Sequence, residues 1–180
     1  MVSELDVLKI VSDRLTAQGI PFMLTGSFAL AYYATPRMTR DLDIVLALEP
    51  AGVEEFVSAF EPDFYIDREV ADAAVQTRHL FNIMHLQSGI KVDVIVRKAA
   101  PYRELELQRR KPVEVAGVRT WIVSREDLIL SKLVWARDSG SDLQLRDVRA
   151  LLNDTVDMKY LRHWAGELAV AALLDRVSHA

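Results

Sequence analysis

The 180-residue sequence contains no cysteine. This absence excludes disulfide frameworks, thiol nucleophiles, iron–sulfur clusters and cysteine-based zinc sites. The four histidines, at positions 79, 85, 163 and 179, do not have the spacing that is typical of metal ligands. A metal site in this chain is therefore expected to consist of oxygen ligands, which suit hard cations such as Mg²⁺.

The sequence also lacks an excess of positive charge and a long apolar segment. Lys+Arg number 22 and Asp+Glu 26, a net charge of −4, so nucleic acid would have to bind at a local basic patch. The longest uncharged run, 15–36, is interrupted by glycine and proline, which predicts a turn, a strand and a turn rather than a membrane helix. No basic start precedes an apolar stretch, so we expect no signal peptide, no membrane association and a cytoplasmic location.

Hydrophobic periodicity and turn residues predict an α/β (α+β) fold, a mixed β-sheet flanked by helices and followed by a C-terminal helical region. We expect residues 1–123 to form the α/β core and 124–180 the helical region packed on it. The predicted strands are 22–25, 41–48, 80–87, 90–96, 113–115 and 118–123. The predicted helices are 5–15, 26–33, 50–60, 69–76, 124–137, 143–152, 158–164 and 166–177.

Asp41 and Asp43 lie at the start of a predicted strand. Residues i and i+2 of a strand point to the same face, about 6.5 Å apart, while the apolar Leu42, Ile44 and Leu46 point to the other face. Two neighbouring carboxylates repel each other unless a positive charge lies between them, and a divalent cation is a common solution. The alternative is an exposed strand end with solvated charges.

Asp93 occupies the middle of another predicted strand, where its β-branched neighbours indicate burial. A buried carboxylate needs a cation or hydrogen-bond donors, and Lys91 or Arg97 could form a salt bridge with it. If Asp93 instead lies beside Asp41 and Asp43, the three carboxylates complete a two-metal site for in-line phosphoryl transfer.

Gly26-Ser27 is predicted at a turn from a strand into a helix. Backbone N–H groups at such a turn and at the helix N-terminus suit a phosphate, and glycine allows the backbone to approach it closely. Alternatively, Ser27 simply caps the helix.

Together these motifs resemble the nucleotidyltransferase superfamily related to DNA polymerase β. Thirteen residues separate Gly26-Ser27 from the Asp41-x-Asp43 pair, and a strand-borne Asp93 follows. Within the superfamily the chain resembles the small bacterial branch that includes the AbiEii-type toxins.

Three further segments carry the resemblance to this branch. Lys91-Val92-Asp93 is similar to its second motif, Lys-x-Asp, and 132–137 to its third, a helical Lys-Leu segment that ends in arginine. Its fourth motif has two aspartates three residues apart, whereas Asp142 and Asp147 are five apart, so only Asp147 is carried over.

The resemblance implies a nucleotidyltransferase that moves NMP from an NTP to an acceptor hydroxyl and releases pyrophosphate. It implies that Asp41, Asp43 and Asp93 are catalytic and bind two Mg²⁺ ions, for which Mn²⁺ can substitute. Gly26 and Ser27 would then hold the phosphates of the NTP.

Three more residues are candidates for nucleotide binding. Arg40, directly before the carboxylate pair, and Lys132 would contact phosphate, because a phosphoryl-transfer transition state favours fixed cations. Asp147 would support them, or form an ion pair with Lys132 or Arg137 that positions rather than reacts. The alternative for Lys132 is a solvent-facing lysine on an amphipathic helix.

Segment 97–111 has six basic and two acidic residues, a local net charge of +4 that could contact an RNA backbone or simply be solvated. By analogy with AbiEii-like relatives, the acceptor would be RNA, in particular the 3′ end of tRNA, in a toxin-like role with a cognate antitoxin protein as partner. The alternatives are transfer to a small molecule such as an aminoglycoside, transfer to a protein side chain, or a non-catalytic module that binds a nucleotide or a partner protein. The intact carboxylates and Gly-Ser pair argue against the last.

Overall fold

The computed structural model describes residues 2–34 and 41–178. The chain divides into two compact units, the first formed by Met1–Phe28 with Arg37–Val123 and the second by Ala29–Pro36 with Ser124–Ala180. Within the described ranges, no helix is both long and apolar enough to cross a bilayer.

The first unit is built on one mixed sheet, which has seven strands in the described part of the chain. In chain order they are β1 (Phe22–Leu24), β2 (Leu42–Leu46), β3 (Phe64–Ile66), β4 (Leu80–His85), β5 (Lys91–Val96), β6 (Lys111–Val115) and β7 (Val118–Ile122). Their order in the sheet is β3-β4-β5-β2-β1-β7-β6, in which β2–β5 and β1–β7 are parallel and the other neighbours antiparallel. The predicted mixed α/β fold is confirmed.

The first unit also contains helices, and the second unit is helical. They are α1 (Glu4–Ala17), α2 (Gly26–Tyr33), α3 (Val53–Phe60), α4 (Arg68–Thr77), α5 (Pro101–Gln108), α6 (Arg125–Ser139), α7 (Asp142–Leu151), α8 (Met158–Glu167) and α9 (Ala171–Ser178). Helix α6 begins where predicted, because the Ser124 side chain accepts a hydrogen bond from the Asp127 backbone N–H.

Alternating burial along β2 and β5 orients their side chains. Leu42, Ile44 and Leu46 are at most 1% exposed, so the predicted apolar face of this strand does pack in the core. Asp43 and Asp93 lie on the opposite, half-buried face, and the parallel register places them directly across from each other. The central pair of strands therefore brings two of the predicted site residues together.

Three elements differ from the predictions. Strand β3 falls in a predicted loop, and helix α5 falls in the basic segment, where no regular element was expected. The predicted helix 166–177 is wrong in its bounds, because α8 continues to Glu167 and α9 starts at Ala171. Ala169 separates the two with a left-handed φ of 56°, a conformation that ends a helix and that alanine does not signal in sequence.

Candidate active site

Asp43 and Asp93 face the same side of the sheet from adjacent strands. Their Cα atoms are direct partners in the β2–β5 register. The Asp93 side chain is 17% exposed. Among the described residues its buried Oδ1 atom has no hydrogen-bond partner, so this oxygen depends on a nearby positive charge. Positive charge is therefore favoured at this point of the sheet.

Lys91 supplies part of that charge. Its Nζ lies 3.1 Å from Asp93 Oδ1 and 3.5 Å from Asp41 Oδ2, and it donates a hydrogen bond to Asp93 Oδ2 at 3.2 Å. The hydrogen bond to Asp93 and the negative charge of both carboxylates raise the pKa of Lys91. The predicted salt bridge between Lys91 and Asp93 is confirmed. The contact of Lys91 with Asp41 was not predicted. Side-chain alternation along a strand, which places Lys91 on the same face as Asp93 and Asp41 on the same face as Asp43, could have indicated it.

Gly26 is in close contact with Asp43. The Thr25 backbone N–H donates to the Asp43 carbonyl at 2.9 Å, and Gly26 then starts α2 with a φ of 60°. A Cβ atom added to Gly26 would lie 2.0 Å from Asp43 Oδ2, so no larger residue fits without displacing the carboxylate. The half-buried Ser27 follows as the second residue of α2. The turn and the carboxylate therefore form one compact feature.

The remaining predicted site residues lie elsewhere. Arg40 is outside the described residues. Lys132 and Asp147 belong to the second unit, where their side chains are 3% and 7% exposed and form a 2.7 Å ion pair. The Lys132 ammonium also donates to Gln144 Oε1 at 3.0 Å. The predicted ion pair between Lys132 and Asp147 is confirmed, the alternative of a solvent-facing lysine is wrong, and a role in nucleotide binding stays a prediction.

Over residues 2–34 and 41–178, no cluster of three or more histidine and acidic side chains is arranged to hold a metal ion. The metal set Asp41, Asp43 and Asp93 thus stays a prediction. The chemistry of these groups suits a hard cation: their donors are carboxylate oxygens, Asp93 has a buried oxygen without a hydrogen bond, and the Lys91 ammonium already lies within 3.5 Å of two of them.

Two of the six cations in the basic segment 97–111 are ion-paired with its two glutamates. Arg97 pairs with Glu104 at 3.1 Å and Arg103 with Glu106 at 2.8 Å. The Arg110 guanidinium lies over the Trp121 ring, 4.6 Å from its centre, and burial lowers the pKa of Arg110. Among the basic residues of the segment, Lys98 and Lys111 are the exposed ones. The segment therefore keeps its net charge of +4, but Arg97, Arg103 and Arg110 are held against other side chains of this chain.

A model of one protein family, described as "Nucleotidyltransferase of unknown function (DUF6036)", matches residues 2–176. The comparison with curated protein sequences gives no match.

Solved structures share the fold at low sequence identity. An antigenic nucleotidyltransferase-like protein from Paracoccidioides brasiliensis has a TM-score of 0.58 and 16% identity, over 97% of this chain and 91% of the other. The antibiotic-resistance factor ANT(2″)-Ia has a TM-score of 0.58 and 14% identity, over 97% and 96%. A putative nucleotidyltransferase from Thermotoga maritima has a TM-score of 0.53 and 20% identity, over 91% and 92%.

Proposed function

This chain belongs to the family of nucleotidyltransferases of unknown function (DUF6036), and we propose that it transfers a nucleoside monophosphate from an NTP to an acceptor hydroxyl in a reaction that requires a divalent cation. The observation that carries the proposal is the contact of Gly26, at the start of α2, with Asp43, which is paired across the sheet with Asp93. This arrangement supports the proposal because it places two carboxylates beside a turn that is suited to phosphate.

Asp41, Asp43 and Asp93 are the residues that would hold two Mg²⁺ or Mn²⁺ ions. The need for a cation follows from charge, because phosphates bound at Gly26 would otherwise lie against the Asp43 carboxylate and repel it. When bound, such a cation neutralises charge on the phosphates and lowers the pKa of a hydroxyl group whose oxygen it coordinates.

The reaction itself exchanges one bond at phosphorus. The acceptor oxygen bonds to the α-phosphorus of the NTP, the bond from that phosphorus to the pyrophosphate oxygen breaks, and pyrophosphate leaves. The proton of the acceptor hydroxyl passes to the Asp93 carboxylate. Backbone N–H groups of Gly26 and Ser27 hold phosphate oxygens at the positive end of α2.

The proposal is tested with NTPs that carry a radiolabel at the α-phosphate. Each NTP is incubated with the protein and Mg²⁺, and with total RNA, protein or a metabolite extract as the acceptor pool. We expect the label to appear in one pool, and chelation of the cation to prevent its transfer. The proposal would be contradicted if no NTP bound at Gly26 and the protein released no pyrophosphate from any NTP.

Gly26→Ala is expected to reduce transfer about a hundredfold, because a misplacement of about 1 Å at a reacting group has an effect of that size. The new Cβ would overlap Asp43 Oδ2, 2.0 Å away. The measurement is kcat, together with the free energy of unfolding.

Gly19→Ala is the matched control. Gly19 has a similar φ of 65°, and no described residue outside its immediate neighbours comes within 4 Å of an added Cβ. Gly19→Ala should lose about 1–2 kcal/mol of stability to the left-handed backbone, and Gly26→Ala should lose more because its Cβ also displaces Asp43. Equal losses of kcat in the two would show that the contact with Asp43 has no part in the reaction.

The resemblance to AbiEii-type toxins suggests the tRNA 3′ end as acceptor and an antitoxin as partner. Arg97 and Arg103 are held in ion pairs and Arg110 on Trp121, so fewer side chains of the segment can turn towards an RNA backbone. We therefore expect Lys98→Ala combined with Lys111→Ala to leave KM for the acceptor and KM for NTP unchanged within about twofold. Arg110 is left intact because it packs on Trp121.

An RNA acceptor held by this segment would give a different result. KM for RNA would rise in the double variant while KM for NTP stayed constant, and the salt dependence of RNA binding would become shallower. That outcome would restore RNA as the favoured acceptor.

A further inference from the structure

The face of the sheet that carries Asp93 continues onto β4 and β3. Asn82 is the direct partner of Asp93, Leu80 of Ile95 and Met84 of Lys91. Tyr65 of β3 is in turn the partner of Met84. Side chains of directly opposed residues share a face and lie about 5 Å apart at Cβ. We call Tyr65, Leu80, Asn82 and Met84 the β4 strip.

The β4 strip is mostly apolar although it lies on the solvent-exposed face of the strands, where polar side chains are expected. Tyr65 is 59%, Leu80 48% and Met84 43% exposed, whereas Phe81 and Ile83, on the other face of β4, are 2% and 1% exposed. A strand with one solvated face usually alternates apolar and polar residues. Strand β4 instead has apolar residues on both faces, with Asn82 as an exposed polar exception. Exposed apolar residues grouped around one polar side chain, beside the carboxylates, are typical of a binding surface.

We propose that the β4 strip binds the acceptor, and that the acceptor is a small, uncharged molecule that has an apolar face and a reactive hydroxyl group. This inference rests on the proposed function, since the hydroxyl has to reach Asp93 and the neighbouring position across the sheet is Asn82. The Asn82 amide both donates and accepts hydrogen bonds, so it suits the polar edge of such a molecule.

Charge and size select this occupant. None of the four strip residues is charged, and the adjacent Lys91 is paired with Asp93 and Asp41, so the strip does not complement a polyanion. A protein partner usually contacts about 20–30 residues on each side of an interface. Four side chains next to the carboxylates are sufficient for a small molecule. The bond changes are those given above, with the hydroxyl oxygen of this molecule as the nucleophile.

The test uses benzyl alcohol, a ring with one hydroxyl, as the binding probe and glycerol as a probe without an apolar face. Binding is followed by NMR chemical shifts of the full chain. Saturable shifts at residues 80–84 are expected with benzyl alcohol and not with glycerol. Leu80→Gln combined with Met84→Gln should weaken benzyl alcohol binding about tenfold or more, because two apolar side chains are lost from the contact.

Leu143→Gln is the matched control. Leu143 is a comparably exposed leucine, at 44%, on α7 of the second unit. This variant should bind benzyl alcohol as the unmodified protein does. Absent shifts at 80–84, equal weakening in Leu143→Gln, or displacement of the probe by a short oligoribonucleotide would overturn the inference.

A second measurement separates this inference from the proposed function. Binding of a non-hydrolysable ATP analogue with Mg²⁺ is measured in the same variants and is expected to be unchanged by the two glutamines. If the analogue binds but benzyl alcohol does not, the assignment of the β4 strip to the acceptor is wrong while the proposed function still stands. If the analogue does not bind to the unmodified protein either, the proposed function fails as well.

Discussion

Replacing Asp43 with asparagine is expected to lower kcat for nucleotidyl transfer by about a thousandfold, with little change in stability. Asparagine keeps the size of the side chain that packs against Gly26 but removes its negative charge. The Asp43 carboxylate is the proposed cation ligand that lies opposite Asp93 and against Gly26, where phosphate is proposed to bind. Its charge is therefore expected to matter for the transition state rather than for folding. The measurement is incorporation of labelled NMP under saturating NTP, beside the thermal unfolding midpoint.

Asp72→Asn provides the control for this variant. Asp72 is an exposed carboxylate on α4 that accepts a hydrogen bond from Gln76 at 3.1 Å, within the same structural unit. Its replacement should leave kcat and the unfolding midpoint unchanged. Transfer by Asp43→Asn at more than a tenth of the normal rate would remove Asp43 from the proposed cation site.

Lys132→Met is expected to destabilise the protein by about 3–5 kcal/mol. The substitution leaves the Asp147 carboxylate, 7% exposed, without the ammonium 2.7 Å away, and removes the donor to Gln144. An unpaired buried charge is costly because no water replaces the lost partner. Denaturant unfolding of the full chain gives the change in free energy.

A double variant distinguishes a structural pair from a nucleotide contact. Lys132→Met combined with Asp147→Leu removes both charges and should recover most of the lost stability, since buried ion pairs are often replaceable by apolar residues. Recovery of stability together with normal KM for NTP would assign the pair to folding. A rise in KM for NTP in the stable double variant would instead support the nucleotide-binding role predicted for both residues.

The sequence was informative about which residues face the core and which do not. Alternation along β2 was enough to predict the burial of Leu42, Ile44 and Leu46 and the separation of Asp43 from them. It was not enough to predict neighbours, because strand order in a sheet depends on long-range packing. That Gly26 touches Asp43 follows from the antiparallel pairing of Leu24 with Ile44, which no local pattern encodes.

Two kinds of local signal were misleading or missing. The many charges in 97–111 obscured the helical pattern of α5, whose buried side includes Tyr102 and Leu107. An ion pair between Arg103 and Glu106 allows charged residues to lie along this helix. Strand β3 has three residues and is too short for periodicity to register. For Lys132, helical spacing alone could not show that a charged side chain is buried with Asp147 and Gln144.

The parallel pairing of β2 with β5 also has a consequence for folding kinetics. Asp43 and Asp93 are 50 residues apart in the chain, and α3, β3, α4 and β4 lie between them. Contacts of such long sequence separation form slowly, because the entropy of closing a large loop is lost before the pairing stabilises the chain. A peptide of residues 22–48 would contain the Gly-Ser turn and two carboxylates, yet it would lack Asp93. During refolding, activity should therefore return with the slowest phase of sheet formation, later than the helices.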